Sequence, residues 1–155
     1  MRATNFDEQK KIFEKIFDKI KKEHVSLIII DGITMLYRLE LGDARKDDEK
    51  VKAVNKELAR QMSILAEVSQ KQGIPVIITN QVYSEFLSED DLRKGIKKGT
   101  NLVGGDLLKY WSKCIIELES DGGRRKAILK KHRSLPEKEL KFEIIDKGIR
   151  KRGWI

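Results

Sequence analysis

Apolar residues recur at three- and four-residue steps in two stretches of the chain and run unbroken in two others. Phe6, Ile12, Phe13, Ile16, Phe17 and Ile20 mark one face of a helix over 6–22, with Lys, Glu and Asp between them. Asn5 with Glu8, or Thr4 with Asp7, supplies the capping pair at its start. The run Val25–Ile30 is continuous and β-branched, which predicts a strand buried on both faces in a parallel sheet. A second helix is predicted over 49–72, with Val51, Val54, Leu58, Met62, Leu65 and Val68 on one side. Gly73 and Pro75 end it. Pro75–Val82 is the next buried strand, so the three elements form a right-handed βαβ crossover.

The segment from Tyr83 to Leu102 has no periodicity, contains Gly95 and Gly99, and turns from acidic SEDD to basic RKGIKKG. A loop of that length inside a domain is most often functional or disordered. A short helix follows over 105–112, then a strand Lys113–Glu119, the turn Asp121-Gly122-Gly123, a strand Arg124–Lys131 and a last strand near Lys141–Ile145. D-G-G between apolar runs is a hairpin signal. The expected fold is therefore α/β: a parallel sheet with helices on both faces and an antiparallel C-terminal edge.

Composition narrows the setting. The chain has 155 residues, 39% apolar and 37% charged, which suits one domain over 1–155. No apolar run approaches a membrane span, and the charged N-terminus lacks a secretory h-region. With Cys114 as the single cysteine, a disulfide framework is excluded, and the expected location is cytoplasmic. Two histidines and one cysteine make a poor zinc set. Residues 1–121 carry 21 basic and 21 acidic side chains, whereas 122–155 carry 12 and 4, so the net charge of +8 lies in the last fifth. Such a concentration suits nucleic acid first and an acidic protein second, or it is a solvated basic face.

Two places can hold chemistry. Ser26-Leu27-Ile28-Ile29-Ile30-Asp31 has the Walker B form, an apolar strand ending in Asp where open α/β sheets bind ligands. A carboxylate there can hold Mg²⁺ through its waters, or it simply ends the strand. Thr79-Asn80-Gln81 ends the neighbouring strand, and the Gln81 amide can orient a water or meet a γ-phosphate, or begin a loop. A phosphate cradle G-x-x-x-x-G-K-[ST] does not occur in the 155 residues. The nearest approach, Gly95-Ile96-Lys97-Lys98-Gly99-Thr100, has the wrong spacing.

The segments SLIIIDGITMLYRLEL, LAEVSQKQGIPVIITNQV, GGDLLKYWSKCIIEL and KKHRSLPEKELKFEIIDKGI, in this order, resemble the core of the RecA/RadA recombinase family. The resemblance runs over nearly the whole chain and implies a RecA-like P-loop ATPase core. It covers only the C-terminal part of that core, so the P-loop strand, its helix and the catalytic Glu are expected upstream of Met1. It places Asp31 as the Walker B carboxylate for nucleotide and metal, and Gln81 as the catalytic-site residue coupling γ-phosphate to DNA. Leu39–Asp48, with Arg45 and Lys46, takes the place of the first DNA-binding loop. Tyr83–Leu102, with Tyr83, Arg93, Lys94, Lys97 and Lys98, takes the place of the second.

The cofactors implied are ATP and Mg²⁺, in the intact protein only, with at most weak ATPase and none in this chain alone. The partners implied are single-stranded or branched DNA and a RadA-type recombinase or a junction nuclease. The other reading is a nucleotide-independent RecA-fold module that binds such a protein. Cationic side chains in the two loops would neutralise phosphates without reading bases, or are plain surface charges. Ser134–Glu137 resembles the segment that caps a neighbouring subunit's nucleotide. His132-Arg133-Ser134 stands where the family usually has an Asp before it.

Overall fold

Asn5 opens the first helix, α1 (Phe6–Glu14). Its side chain accepts the Glu8 N–H at 2.9 Å, while the Glu8 carboxylate reaches back to the N–H and hydroxyl of Thr4. These bonds satisfy donors that the first turn leaves unpaired. The 6–22 periodicity is split in the structure. Lys15 closes an i→i−3 bond onto Ile12 and separates α1 from α2 (Ile16–Lys22). The apolar stripe continues across the break, with Phe6, Phe13 and Ile16 buried.

The computed structural model describes residues 1–84 and 100–153, the side chains of Ser84, Thr100 and Asp121 excepted. The chain forms two compact units, Met1–Trp111 and Ser112–Ile155.

In the first unit, β1 (Ile28–Ile30) and β2 (Val76–Ile78) pair in parallel, Ile28 with Val76 and Ile30 with Ile78. Between them lie α3 (Met35–Ala44) and α4 (Asp48–Gln72). Helix α4 starts at Asp47, whose carboxylate accepts the N–H groups of Glu49 and Lys50, and stops at Gly73, which takes φ 66°. That left-handed conformation suits glycine. A small antiparallel pair follows, β3 (Val82–Ser84) with β4 (Thr100–Leu102), and then α5 (Gly105–Trp111). The core is built by Phe6, Phe13, Ile33, Leu58, Met62 and Leu65 with their neighbours.

Three expectations are corrected here. The parallel strands are not buried on both faces. Ile28, Ile30, Val76 and Ile78 pack against the core, but Ile29 is 64% and Ile77 52% exposed, because the helices of this unit gather on one side of the pair. Leu39–Asp48 is not a loop. Residues up to Ala44 continue α3 because Leu36, Tyr37 and Ala44 return to the core at helical spacing, leaving only Arg45–Asp47 between helices. Finally, Lys141–Ile145 is part of a longer strand, and another strand follows it.

The second unit is a four-stranded antiparallel sheet in the order β5 (Ile115–Asp121), β6 (Arg124–Lys131), β7 (Lys138–Ile145), β8 (Gly148–Lys151). The D-G-G hairpin appears where expected, with Asp121 opposite Arg124 and positive φ at both Gly122 and Gly123. That is the twist a two-residue hairpin loop needs. Ile145 opposite Gly148 makes the last hairpin. The coarse expectation, mixed α/β with a parallel pair and a C-terminal antiparallel sheet, matches the structure.

Candidate functional site

Parallel pairing of Ile30 with Ile78 brings the next residues of the two strands, Asp31 and Thr79, side by side. The ladder extends past the strand ends: Thr79 N–H donates to the Ile30 carbonyl at 2.9 Å, and Ile33 N–H donates to the Thr79 carbonyl at 3.3 Å. The side chains then meet. Thr79 Oγ1 donates to Asp31 Oδ1 at 2.6 Å and accepts the Gly32 N–H at 2.8 Å. One hydroxyl therefore fixes both the carboxylate and the turn behind it, at an exposed position on the rim.

A second pair of bonds stands beside the first. The Thr34 hydroxyl donates to Asn80 Oδ1, and Asn80 Nδ2 donates to the Val103 carbonyl at 2.8 Å. Thr34 and Val103 are buried, so these groups have no water to fall back on. Val103 N–H in turn donates to the Gln81 carbonyl at 3.2 Å. The Asp31 turn, the end of β2 and the antiparallel pair β3–β4 are thus joined.

The turn is also held from below. Gln9 Nε2, on α1, donates to the Ile33 carbonyl at 3.2 Å and to Gln61 Oε1 at 2.6 Å. Gln61 Nε2 donates to Glu57 Oε1 at 3.0 Å. Gln61 is fully buried and Gln9 nearly so. Burial alone would raise the Glu57 carboxyl, but hydrogen bonds from Arg60 and Gln61 outweigh it and hold the group below its ordinary range.

The residues singled out from sequence fall as follows. Asp31 and Gln81 both follow the carboxyl ends of the parallel strands and are exposed. Arg45 and Lys46 are exposed in the short turn between α3 and α4. Tyr83 is half-exposed on β3, opposite Asn101. Arg93, Lys94, Lys97 and Lys98 lie outside the described residues. In the Ser134–Glu137 segment, His132 Nδ1 accepts the N–H groups of Ser134 and Leu135, and Lys130 pairs with Glu137 at 3.1 Å. Sequence reading gave no roles to Thr79, Asn80 and Thr34. Their signal was available, since parallel register puts Thr79 next to Asp31.

Among the described residues, no cluster of three or more His, Cys, Asp or Glu side chains could hold a metal. No described helix is long and apolar enough to cross a membrane.

Comparison with known proteins then decides the family. The Rad51 family matches residues 1–152. The chain belongs to the Rad51 family. It is similar to the DNA repair and recombination protein RadB of Methanosphaera stadtmanae, 41% identical over 153 residues, covering 96% of this chain and 60% of that protein. The RadB proteins of Methanocaldococcus jannaschii and Methanococcus maripaludis are 41% and 42% identical over 147 residues, covering 62% and 60% of their lengths. The chain thus spans about three-fifths of these curated relatives and is homologous to RadB along that span.

Proposed function

We propose that this chain is the DNA-binding portion of a RadB-like recombination and repair protein, its two units being parts of one RecA-like ATPase domain. Support comes first from the Rad51-family match across both units. The observation that carries the nucleotide side is the Asp31 carboxylate, exposed at the end of β1 with one oxygen held by Thr79.

A single carboxylate with a free oxygen fits Mg²⁺, which keeps several waters and takes its remaining ligands from substrate phosphates. Mg²⁺ bound there would neutralise phosphate charge. Asp31 would hold it through water, and Thr79 would hold Asp31. The phosphate cradle is not among these 155 residues, so a G-x-x-x-x-G-K-[ST] loop would have to come from outside them. We therefore assign ATP and Mg²⁺ to the intact protein, with Gln81 beside the γ-phosphate, and no turnover to this chain alone.

Single-stranded or branched DNA would be held by Arg45 and Lys46 in the α3–α4 turn and by Tyr83, Arg93, Lys94, Lys97 and Lys98 along the β3–β4 connection. Cations on a turn neutralise phosphates without reading sequence. The test is nucleotide binding by this chain with Mg²⁺, followed by calorimetry. No tight binding and no hydrolysis are expected. Hydrolysis abolished by Asp31→Ala would overturn the assignment.

A second reading is favoured by β8, an edge strand with all four residues exposed. Through it the fold would bind a RadA-type recombinase or a junction nuclease without nucleotide. Tight protein binding, together with DNA affinity no greater than that of an unrelated protein of equal charge, would select this reading.

A further inference from the structure

The strand order β5-β6-β7-β8 leaves β8 at the edge of its sheet, with no strand on its outer side among the described residues. Along an antiparallel pair, residues that bond to the neighbour alternate with residues whose N–H and C=O point away from it. Arg152 N–H donates to the Lys141 carbonyl at 3.0 Å, and register then makes Glu143 with Arg150, and Ile145 with Gly148, the other bonded pairs. The backbone N–H and C=O groups of Ile149 and Lys151 therefore face outward. All four residues of β8 are exposed.

Beside the end of this strand lies a cleft of about 740 Å³, lined by seven Lys and Arg side chains and two Glu. Lys126 engages both carboxylates, Glu119 at 3.0 Å and Glu139 at 3.5 Å. Arg125, Lys138, Lys141, Lys151 and Arg152 make no ion pair among the described residues. Lys126 also stands directly opposite Lys141, whose carbonyl receives the Arg152 N–H from the other side. Like charges directly opposite one another are destabilising. A carboxylate brought in by a ligand would relieve that crowding.

We infer that the β8 edge accepts an extended acidic peptide as a further antiparallel strand, bonded to the backbone of Ile149 and Lys151, with its carboxylates against Lys151, Arg152 and the cleft. From its N-terminus the added strand has two acidic residues, opposite Arg152 and Lys151. Any residue can follow opposite Arg150, which Glu143 already holds at 2.7 Å, and an apolar one then meets Ile149. In strand addition the main-chain bonds supply affinity and the cross-strand side chains select the sequence. Nucleic acid fits less well. Phosphate oxygens accept but do not donate, so the outward carbonyls of Ile149 and Lys151 would gain nothing from them. A second copy of β8 is disfavoured by its own cations, which blunt the edge against like strands and leave it open to acidic ones. This assignment of partner chemistry rests on the reading in which β8 binds a protein.

The test titrates the full chain with a labelled peptide carrying Glu-Glu-Thr-Val, follows fluorescence anisotropy, and measures amide exchange by NMR in the same complex. Binding is expected, with exchange slowed at the Ile149 and Lys151 N–H groups. Lys151→Glu/Arg152→Glu should weaken it by about tenfold, and a Lys-Lys-Thr-Val peptide should prefer that variant to the parent. Ile149→Pro removes an outward N–H and spares the β7–β8 bonds, so it should abolish binding. The charge swap decides alone if that variant does not fold. No binding, binding without slower exchange at those two amides, a charge swap that fails to redirect the peptides, or displacement by a single-stranded oligonucleotide at equal affinity would each overturn the inference. Peptide binding as expected, with no RadA-type recombinase or junction nuclease bound by the chain, keeps the inference and removes the second reading. A recombinase bound through β8 and lost in Ile149→Pro, with the acidic peptide unbound, does the opposite.

Discussion

The hydroxyl of Thr79 lies 2.6 Å from Oδ1 of Asp31 and 2.8 Å from the Gly32 nitrogen, donating to the first and accepting from the second. Both bonds follow from parallel register, which sets Thr79 beside Asp31 at the carboxyl ends of β1 and β2. Replacement by valine keeps the shape and deletes both bonds. Thr79→Val should lower stability by about 1 kcal/mol, read as an earlier urea midpoint, and Thr79→Ser should recover most of it. Equal losses in the two variants would assign the effect to packing rather than to the hydroxyl.

Asn80 is the costlier position. Its amide joins the Thr34 hydroxyl to the Val103 carbonyl, and both partners are buried. Asn80→Leu strands those groups and should cost about 1–3 kcal/mol, more than Gln81→Ala at the exposed neighbour. Thermal unfolding of the two variants side by side makes the comparison. A Gln81→Ala loss as large as that of Asn80→Leu would contradict it.

The Gln9–Gln61 pair should behave as one unit. Removing one amide leaves the other unpaired in the core, whereas removing both exchanges a polar contact for an apolar one. Gln9→Leu and Gln61→Leu should each destabilise, and the double variant should lose less than the sum of the two. Strict additivity in denaturant midpoints would show that the amides are not coupled.

Acid should weaken the start of α4. Asp47 accepts N–H bonds from Lys50 and Glu49, which hold its carboxyl below the ordinary value of 3.8. A folded-state value lowered in this way contributes stability above the unfolded value and loses it as pH falls through the folded one. Asp47→Ala should therefore lower the unfolding midpoint at neutral pH, and the gap from the parent should close in acid, once pH has fallen past the lowered folded-state value. A gap that is the same at both pH values would mean that the charge is not what caps the helix.

Much of this was legible in the sequence. The pairing of two apolar runs, the long helix ending at Gly73, and the D-G-G hairpin each depend on local patterns. What was not legible depended on neighbours. The runs Val25–Ile30 and Pro75–Val82 read as strands buried on both faces, because an unbroken apolar run reports the need for cover and not whether cover is present. Leu39–Asp48 was given a loop's place by the family resemblance, whereas the burial of Leu36, Tyr37 and Ala44 carries the helix on to Ala44. At the site, Asp31 and the Thr79-Asn80-Gln81 triplet stood out, but which member of the triplet carries the bonds is set by register. The structure gives those side-chain bonds to Thr79 and Asn80 and leaves Gln81 exposed.

The most direct test of a RadB-like DNA-binding role is the affinity of this chain for a single-stranded oligonucleotide across a series of salt concentrations, with and without Arg45→Ala/Lys46→Ala. Affinity should fall as salt rises, and the double change should flatten the slope of log K against log salt by about 1.4, at roughly 0.7 per lost phosphate contact. Binding no stronger than that of an unrelated protein of equal charge, with a slope unmoved by the double change, would contradict the account.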